Sequence, residues 1–222
     1  MDMKELLVEG TTKKVYATAQ NDQVVVAYND GGKKAGDRVE INNDLSAFLF
    51  EYLESYNVPT HFIRKLDAKS FAAKRIDMIP MIVSVHNIAD AELTERFGLD
   101  EGKVLEYPVV EMYYKDKAGK RPMINEYHAY ALGLCDRKEM TSINRIATKV
   151  NAVLKSFFDR RKLKLVSFHL EFGRQHSQIL LADEMSLHTM TLYLVDENGE
   201  IKKVSMDDKD VPAEIKARVL GS

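Results

Sequence analysis

Glu171 and Asp183 are the residues most suited to chemistry, because they flank a short turn between two runs that read as a β-hairpin. The runs are residues 163–172 and 178–185, and residues 173–177 close them. Alternation places Val166, Phe168, Leu170 and Phe172 on one face and Leu165, Ser167, His169 and Glu171 on the other. Asp183 shares the phase of Ile179 and Leu181, so the pattern predicts a carboxylate on an otherwise apolar face. Such a carboxylate is costly unless it is paired or bound to a cation. Two neighbouring carboxylates hold a cation or a proton between them. A pair of hard oxygen ligands suits Mg²⁺ shared with phosphate oxygens. The plainer alternative pairs one acid with a lysine and leaves the other in solvent. His169, on the Glu171 face, could be a ligand, a base or a hydrogen-bonded neighbour. With Glu171 and Asp183 it would make a transition-metal set, but no short-spaced histidine pair supports one.

Two lysines come next. Lys13 follows a glycine turn, EGTTK from Glu9, between β-prone runs. Backbone N–H groups of such a turn, with one ammonium, can fold over phosphates; an ordinary hairpin turn with a solvated lysine is the alternative. Lys74 ends an apolar strand, either facing a ligand or exposed at the strand end. His86, His128 and His188 lie near strand or helix ends, while His61 and His176 are expected at the surface. Cys135 has no reactive-motif context and reads as a small, partly buried residue. The basic run at 155–164 reads as a solvated helix end.

The elements that must position these residues follow from periodicity. Strands are expected at 6–8, 15–17, 23–28, 61–65 and 71–75, with a loop over 29–40. A helix opens at Asn43, with Leu45, Phe48, Leu49, Tyr52 and Leu53 at helical spacing and Pro59 beyond its end. Residues 76–80 read as a linker between two lobes, 1–79 and 80–222. Further strands are expected at 81–85, 109–114 and 189–195, and a short helix at 213–220. The longest helix, 141–161, carries a broad apolar stripe that is core. The class is α+β with mostly antiparallel pairing.

Composition sets outer bounds. The chain has 222 residues and a net charge of −2, from 32 Lys+Arg against 34 Asp+Glu. That balance offers no electrostatic case for nucleic acid or anionic membrane as the main partner. One cysteine excludes an intramolecular disulfide. The apolar run in MDMKELLVEG is too short for a signal-peptide core, and no stretch approaches the ~20 apolar residues of a membrane span. The expectation is a cytoplasmic globular protein.

Taken in order, the segments resemble the SAICAR synthetase family. The matching stretches are EGTTKKVYAT, INNDLSAFLFEYLESYNVPTHFI, AAKRIDMIP, FGLDEG, VVEMYYKDK, PMINE, KVNAVLKSFFD, LVSFHLEFG and ILLADEMS. The resemblance spans about Leu7 to Asp196. It implies a two-lobed α+β fold with ATP and Mg²⁺ in the interlobe cleft. It also implies a ligase that joins a carboxylate to the amine of aspartate through an acyl phosphate, releasing ADP and phosphate. By resemblance, Gly10, Lys13 and Lys74 belong to the ATP site with Glu171 and Asp183, and the two acids bind the metal. Asn42 and Asn43 match the family's paired asparagines.

The substrate side departs from the family pattern. Thr11 replaces the first lysine of the glycine turn. Where the family pattern has phosphate-binding arginine, serine and arginine, this chain has His86, Glu92 and Thr191; Ser167 and His169 replace an aspartate and a lysine of the hairpin motif. Losing one charge-assisted contact costs about 1.5–3 kcal/mol. The expectation is therefore an ATP- and Mg²⁺-dependent amide-forming ligase whose carboxylate substrate is not the usual ribotide. Asn42, Asn43, His86 and His188 would lie on the substrate side, and His169 and Ser167 are the catalytic candidates. One alternative is a SAICAR synthetase of purine biosynthesis, in which Lys33, Lys34 or Arg121 supplies the phosphate contacts. The other is a non-catalytic nucleotide-binding or scaffold protein. The expected partners are a small carboxylate and an amine, with homo-oligomerisation open.

Overall fold

The computed structural model describes residues 1–29, 36–116, 118–206, 208 and 210–221. In chain order the elements are β1 (Leu6–Glu9), β2 (Lys13–Ala17), β3 (Gln23–Tyr28), α1 (Gly36–Ser55), β4 (Phe62–Lys65), β5 (Ser70–Lys74) and β6 (Asp77–Ile88). Then follow α2 (Ala91–Phe97), β7 (Val104–Tyr114), β8 (Met123–Ile124), α3 (Glu126–Ala131), α4 (Arg137–Asp159), β9 (Leu163–Gln175) and β10 (Gln178–Ala182). The chain ends with β11 (Met190–Val195), β12 (Ile201–Lys202) and α5 (Val211–Leu220). The α+β class expected from the sequence is the class observed.

The chain forms two compact units. The first comprises Met1–Asp77, Arg174–His188 and Met206–Ser222; the second comprises Met78–Gly173 and Thr189–Ser205. The first crossing lies two residues before the expected boundary at 79. Residues 174–188 and 206–222, expected in the second lobe, belong to the first unit. The expected linker at 76–80 is largely strand, because β6 begins at Asp77 and buries Ile79.

The first unit is built on an antiparallel sheet of order β1-β2-β3-β5-β4. Val24, Val25 and Val26 in β3 and Phe71, Ala72 and Ala73 in β5 are buried, and α1 and α5 pack together in the same unit. α1 starts seven residues before the expected Asn43. Its buried side carries Val39, Asn42, Asn43, Leu45, Ser46, Leu49, Phe50 and Leu53. Three of these are polar, so an apolar count does not detect the first turns.

The second unit has a sheet of order β12-β11-β9-β6-β7-β8. Its α4 is amphipathic as expected, burying Met140, Ile143, Ile146, Val150, Leu154, Phe157 and Phe158. A capping box starts it: the Asp136 carboxylate accepts from the Glu139 N–H, and the Glu139 carboxylate accepts from the Asp136 N–H. Two short helices, α2 and α3, have no counterpart among the expected elements. Each opens on a side-chain cap, Asp90 and Asn125. In the core, Asn87 and Asn151 exchange amide hydrogen bonds of 2.8 and 3.0 Å, which satisfies two buried polar side chains at once. Asn151→Ala strands the Asn87 amide, at an expected cost of about 1–3 kcal/mol. A lowered urea midpoint of the full chain, with unchanged slope, checks this.

Candidate functional site

In the first unit the glycine turn, the end of β10 and the start of α1 converge on one ion cluster. The Gly10 N–H closes on the Lys13 carbonyl at 2.8 Å, and a Cβ at Gly10 would approach that oxygen to 3.2 Å. The Asn29 amide donates to the Gly10 carbonyl at 2.9 Å and braces the turn. The Lys13 ammonium thus emerges from a fixed backbone. It lies 2.7 Å from Asp183 Oδ1 and 2.8 Å from Glu184 Oε1.

Asp183 does not continue the strand phase expected of it. β10 stops at Ala182, and Asp183 adopts a left-handed backbone with φ of 66°. That conformation is uncommon outside glycine, and aspartate tolerates it better than most residues. The bend turns Glu184 into the interior, where it is almost wholly buried. Glu184 accepts from Ser186 Oγ and from Thr12 Oγ1 at 3.4 Å, and His188 Nδ1 lies 3.5 Å away. Burial pushes the Glu184 carboxyl up, but His188, the Lys13 ammonium and Ser186 outweigh it and hold the pKa at about 2. Burial likewise pushes Lys13 down, and the two carboxylates overcome it, so its pKa is raised. Two carboxylates around one ammonium leave a negative charge.

Helix α1 fixes the loop that follows. Asn42 Oδ1 accepts from the Leu187 N–H at 3.2 Å, and Asn42 Nδ2 lies 3.1 Å from His188 Nε2. One turn on, Ser46 Oγ accepts from the Met185 N–H at 3.1 Å and lies 2.7 Å from the Tyr28 hydroxyl. Asn43 points elsewhere: its amide donates to the Asp67 carbonyl at 2.8 Å and ties α1 to the β4–β5 turn. The two asparagines expected together on the substrate side are thus separated, and only Asn42 reaches the site loop. Lys74 donates to the Thr60 carbonyl at 3.0 Å and is partly buried. His61, expected at the surface, is buried between Phe50 and Phe71. An apolar environment and hydrogen-bonded backbone on both sides account for its position.

In the second unit Glu171 accepts from Lys115 through both oxygens, at 2.8 and 2.7 Å. Elsewhere in this unit His86 sits in a self-paired network. His86 is buried, with Nδ1 2.8 Å from Asp90 Oδ2 and Nε2 2.9 Å from Ser84 Oγ. Ser167 is buried and hydrogen-bonds Asp90, whereas His169 is exposed. Arg96 clamps Glu111 at 2.9 and 2.7 Å, and Glu111 lies 3.7 Å from His86 Nε2. Burial pushes Glu111 up, but Arg96 and Tyr113 hold its carboxyl below the ordinary range. Arg121 is exposed, and Lys33 and Lys34 lie outside the described residues.

The cluster around Lys13 fits a magnesium nucleotide. Asp183 is a quarter exposed, and its Oδ2 has no side-chain partner among the described residues. Mg²⁺ is typically bound by one or two carboxylates together with phosphate oxygens. Among the described residues no group of three or more His, Cys, Asp or Glu side chains is arranged to hold a metal ion. Sequence patterns do not flag Glu184, Ser46, Tyr28 or His61. The signal for Ser46 is its spacing of four from Asn42, which puts both on one helix face.

The same cluster makes stability acid-sensitive. Burial, with the Lys13 and Lys74 charges, pushes His61 from 6.5 down to about 3. The unfolded chain therefore takes up a proton below pH 6.5 that the folded chain refuses, so stability falls as pH falls from 6.5 towards 3. The slope from this group is at most about 1.4 kcal/mol per pH unit. Glu184 adds a second loss below pH 4.5. Urea midpoints between pH 6.5 and 4.5 should decline in the native chain and flatten in His61→Phe.

Known proteins resemble this chain over nearly its whole length. Residues 6–214 match the family model of SAICAR synthetase. A phosphoribosylaminoimidazole-succinocarboxamide synthase of Chlorobium limicola is 42% identical over 211 residues, covering 91% of this chain and 89% of that protein. A solved structure of the same-named enzyme from Ehrlichia chaffeensis superposes with a TM-score of 0.88 at 27% identity, covering 98% of this chain and 99% of that one. A SAICAR synthetase solved in complex with ADP has a TM-score of 0.87 at 31% identity, with 98% of each chain covered. No helix among the described residues is long and apolar enough to cross a membrane. The chain belongs to the SAICAR synthetase family.

Proposed function

We propose that this protein is an ATP- and Mg²⁺-dependent ligase that joins the carboxylate of the aminoimidazole ribotide to the amine of aspartate. This is the phosphoribosylaminoimidazole-succinocarboxamide synthase reaction of purine biosynthesis. The observation that carries it is the 42% identity, across nine-tenths of both chains, to a relative bearing that name. It replaces the expectation of a different acceptor as the first reading.

The residues of the first unit have clear tasks in such a reaction. Lys13, presented by the Gly10 turn, meets phosphate oxygens, and Asp183 offers a free oxygen to the metal. Bound Mg²⁺ would neutralise phosphate charge. Glu184 keeps Lys13 charged and in place. Asn42 and Ser46 hold the loop that carries these acids. The ADP-bound relative supports the nucleotide assignment.

A second reading, with an acceptor other than the ribotide, has its own observation. At the positions where the resemblance implies phosphate ligands stand His86, Glu92 and Thr191. Both ring nitrogens of His86 are engaged by Ser84 and Asp90. Arg96 is committed to Glu111.

Two measurements test these readings. Mg·ADP at about 100 times its dissociation constant should stabilise the native chain by about 2.7 kcal/mol, visible as a raised melting temperature. Asp183→Ala should abolish the rise, and a nucleotide-independent melting curve in the native chain would overturn the nucleotide assignment. ADP release should require both the ribotide and aspartate. The triple variant His86→Arg, Glu92→Ser, Thr191→Arg decides the acceptor. If the ribotide is the native substrate, the variant gains nothing. A gain of about tenfold or more in ribotide affinity per added contact would favour the second reading.

A further inference from the structure

We propose that a small cavity beside the loop 183–188 binds one carboxylate of the amine substrate, with Arg38 as its cationic ligand. The inference rests on the reading of the reaction as one that consumes aspartate. The cavity lies wholly in the first unit. Arg38, Ile41 and Asn42 of α1 line one side, Leu187 and His188 of the loop another, and Met206 and Pro212 close it. Arg38 Nη2 donates to the Met206 carbonyl at 2.7 Å, which fixes the guanidinium in the wall. The Leu187 N–H donates to Asn42 Oδ1 at 3.2 Å and so orients the carboxamide. Asn42 Nδ2 is then the donor toward His188 Nε2, 3.1 Å away. Nε2 accepts, so the ring proton sits on Nδ1, 3.5 Å from Glu184 Oε2. The cavity thus meets one full positive charge, from Arg38, beside a carboxamide and a neutral imidazole.

Size and charge select the ligand. The cavity has about 40 Å³ of room. A single water needs roughly 10–15 Å³ by the same measure, so about three fit. That suits the three heavy atoms of a carboxylate group and falls short of a phosphate. One guanidinium balances a monoanion, and its planar fork matches carboxylate geometry. A phosphate dianion would keep a charge uncompensated, with the Glu184 carboxylate only one imidazole away. Ile41, Leu187 and Pro212 make the rest of the wall apolar, which strengthens a charge-assisted bond inside it. The position also fits the reaction. His188 approaches Glu184, and Glu184 Oε1 lies 2.8 Å from the Lys13 ammonium. Two side chains therefore separate the cavity from the lysine assigned to the nucleotide phosphates. A carboxylate anchored there keeps the amine of the same small molecule beside the cluster that activates the acyl group.

Binding can be read without turnover. Succinate has the skeleton of aspartate and no amine, so it reports the carboxylate site alone. It is titrated into the native full chain, with and without Mg·ADP, and followed by nuclear magnetic resonance. The backbone amides of Leu187 and His188 and the guanidinium of Arg38 should shift saturably with succinate. Inorganic phosphate at equal concentration should leave them in place. Shifts driven by phosphate instead, or by neither anion in either state, would overturn the inference, and this holds whether or not any variant folds. Kinetics then assigns the ligand. Arg38→Met should raise the KM for aspartate about tenfold or more, with the KM values for Mg·ATP and the ribotide within about threefold of native. Arg38→Lys keeps the charge and loses the fork, so its aspartate KM should fall between the two. An unchanged aspartate KM in Arg38→Met, or an equal rise for all three substrates, would refute the assignment. A native chain that releases no ADP with ribotide and aspartate would overturn the reading of the reaction instead, and the succinate shifts would still decide the cavity.

Discussion

The first unit depends on one bridge: a lysine ammonium shared by two carboxylates from adjacent residues. Lys13 opens β2 directly after a turn in which a Cβ at Gly10 would crowd the Lys13 carbonyl, while Asp183 and Glu184 leave β10 through a left-handed bend. The distances of 2.7 and 2.8 Å are typical of charge-assisted bonds. Removing Lys13 would leave two carboxylates, one of them buried, without their shared counter-ion, which costs more than the bridge itself contributes, whereas removing either acid leaves Lys13 paired with the other. The cluster therefore couples segments about 170 residues apart in sequence.

Polar groups inside the helix α1 face carry this coupling further. A helix that served only as core would fill positions 42, 43 and 46 with aliphatic side chains. Here Asn42, Asn43 and Ser46 are buried, and each spends its hydrogen bonds on a loop rather than on water. At the N-terminal end of the same helix, Arg38 donates to the Met206 carbonyl at 2.7 Å, and α5 packs against α1. The last segment of the chain thus supports the helix that holds the site loop. In the second unit the analogous polar investment is Asn87 with Asn151, and the chain His86–Asp90–Leu93 that joins β6 to the cap of α2.

How much of this was legible in the sequence varied with the kind of interaction. The α+β class, the amphipathic α4 and the strands of the first sheet follow from apolar periodicity, which local sequence carries directly. Lys13 was legible because a glycine and a lysine share one turn. Its partnership with Glu184 was not, because strand alternation assumes an unbroken backbone and the bend at Asp183 resets the phase. His61 looked like a surface residue because histidine is commonly exposed; its burial depends on Phe50 and Phe71, which arrive from two other elements. The early start of α1 was hidden because three positions on its buried side, Asn42, Asn43 and Ser46, are polar and interrupt the apolar pattern. The return of residues 174–188 and 206–222 to the first unit depends on tertiary packing that no local pattern encodes.

The left-handed backbone at Asp183 has a consequence for what evolution can do there. Position 183 is screened by two independent filters, one on charge and one on backbone shape. Glutamate satisfies the first and strains the second; asparagine and glycine satisfy the second and lose the anion. The residues that pass both reduce to aspartate. A substitution table that ranks glutamate as the nearest neighbour of aspartate gives the wrong order at this position.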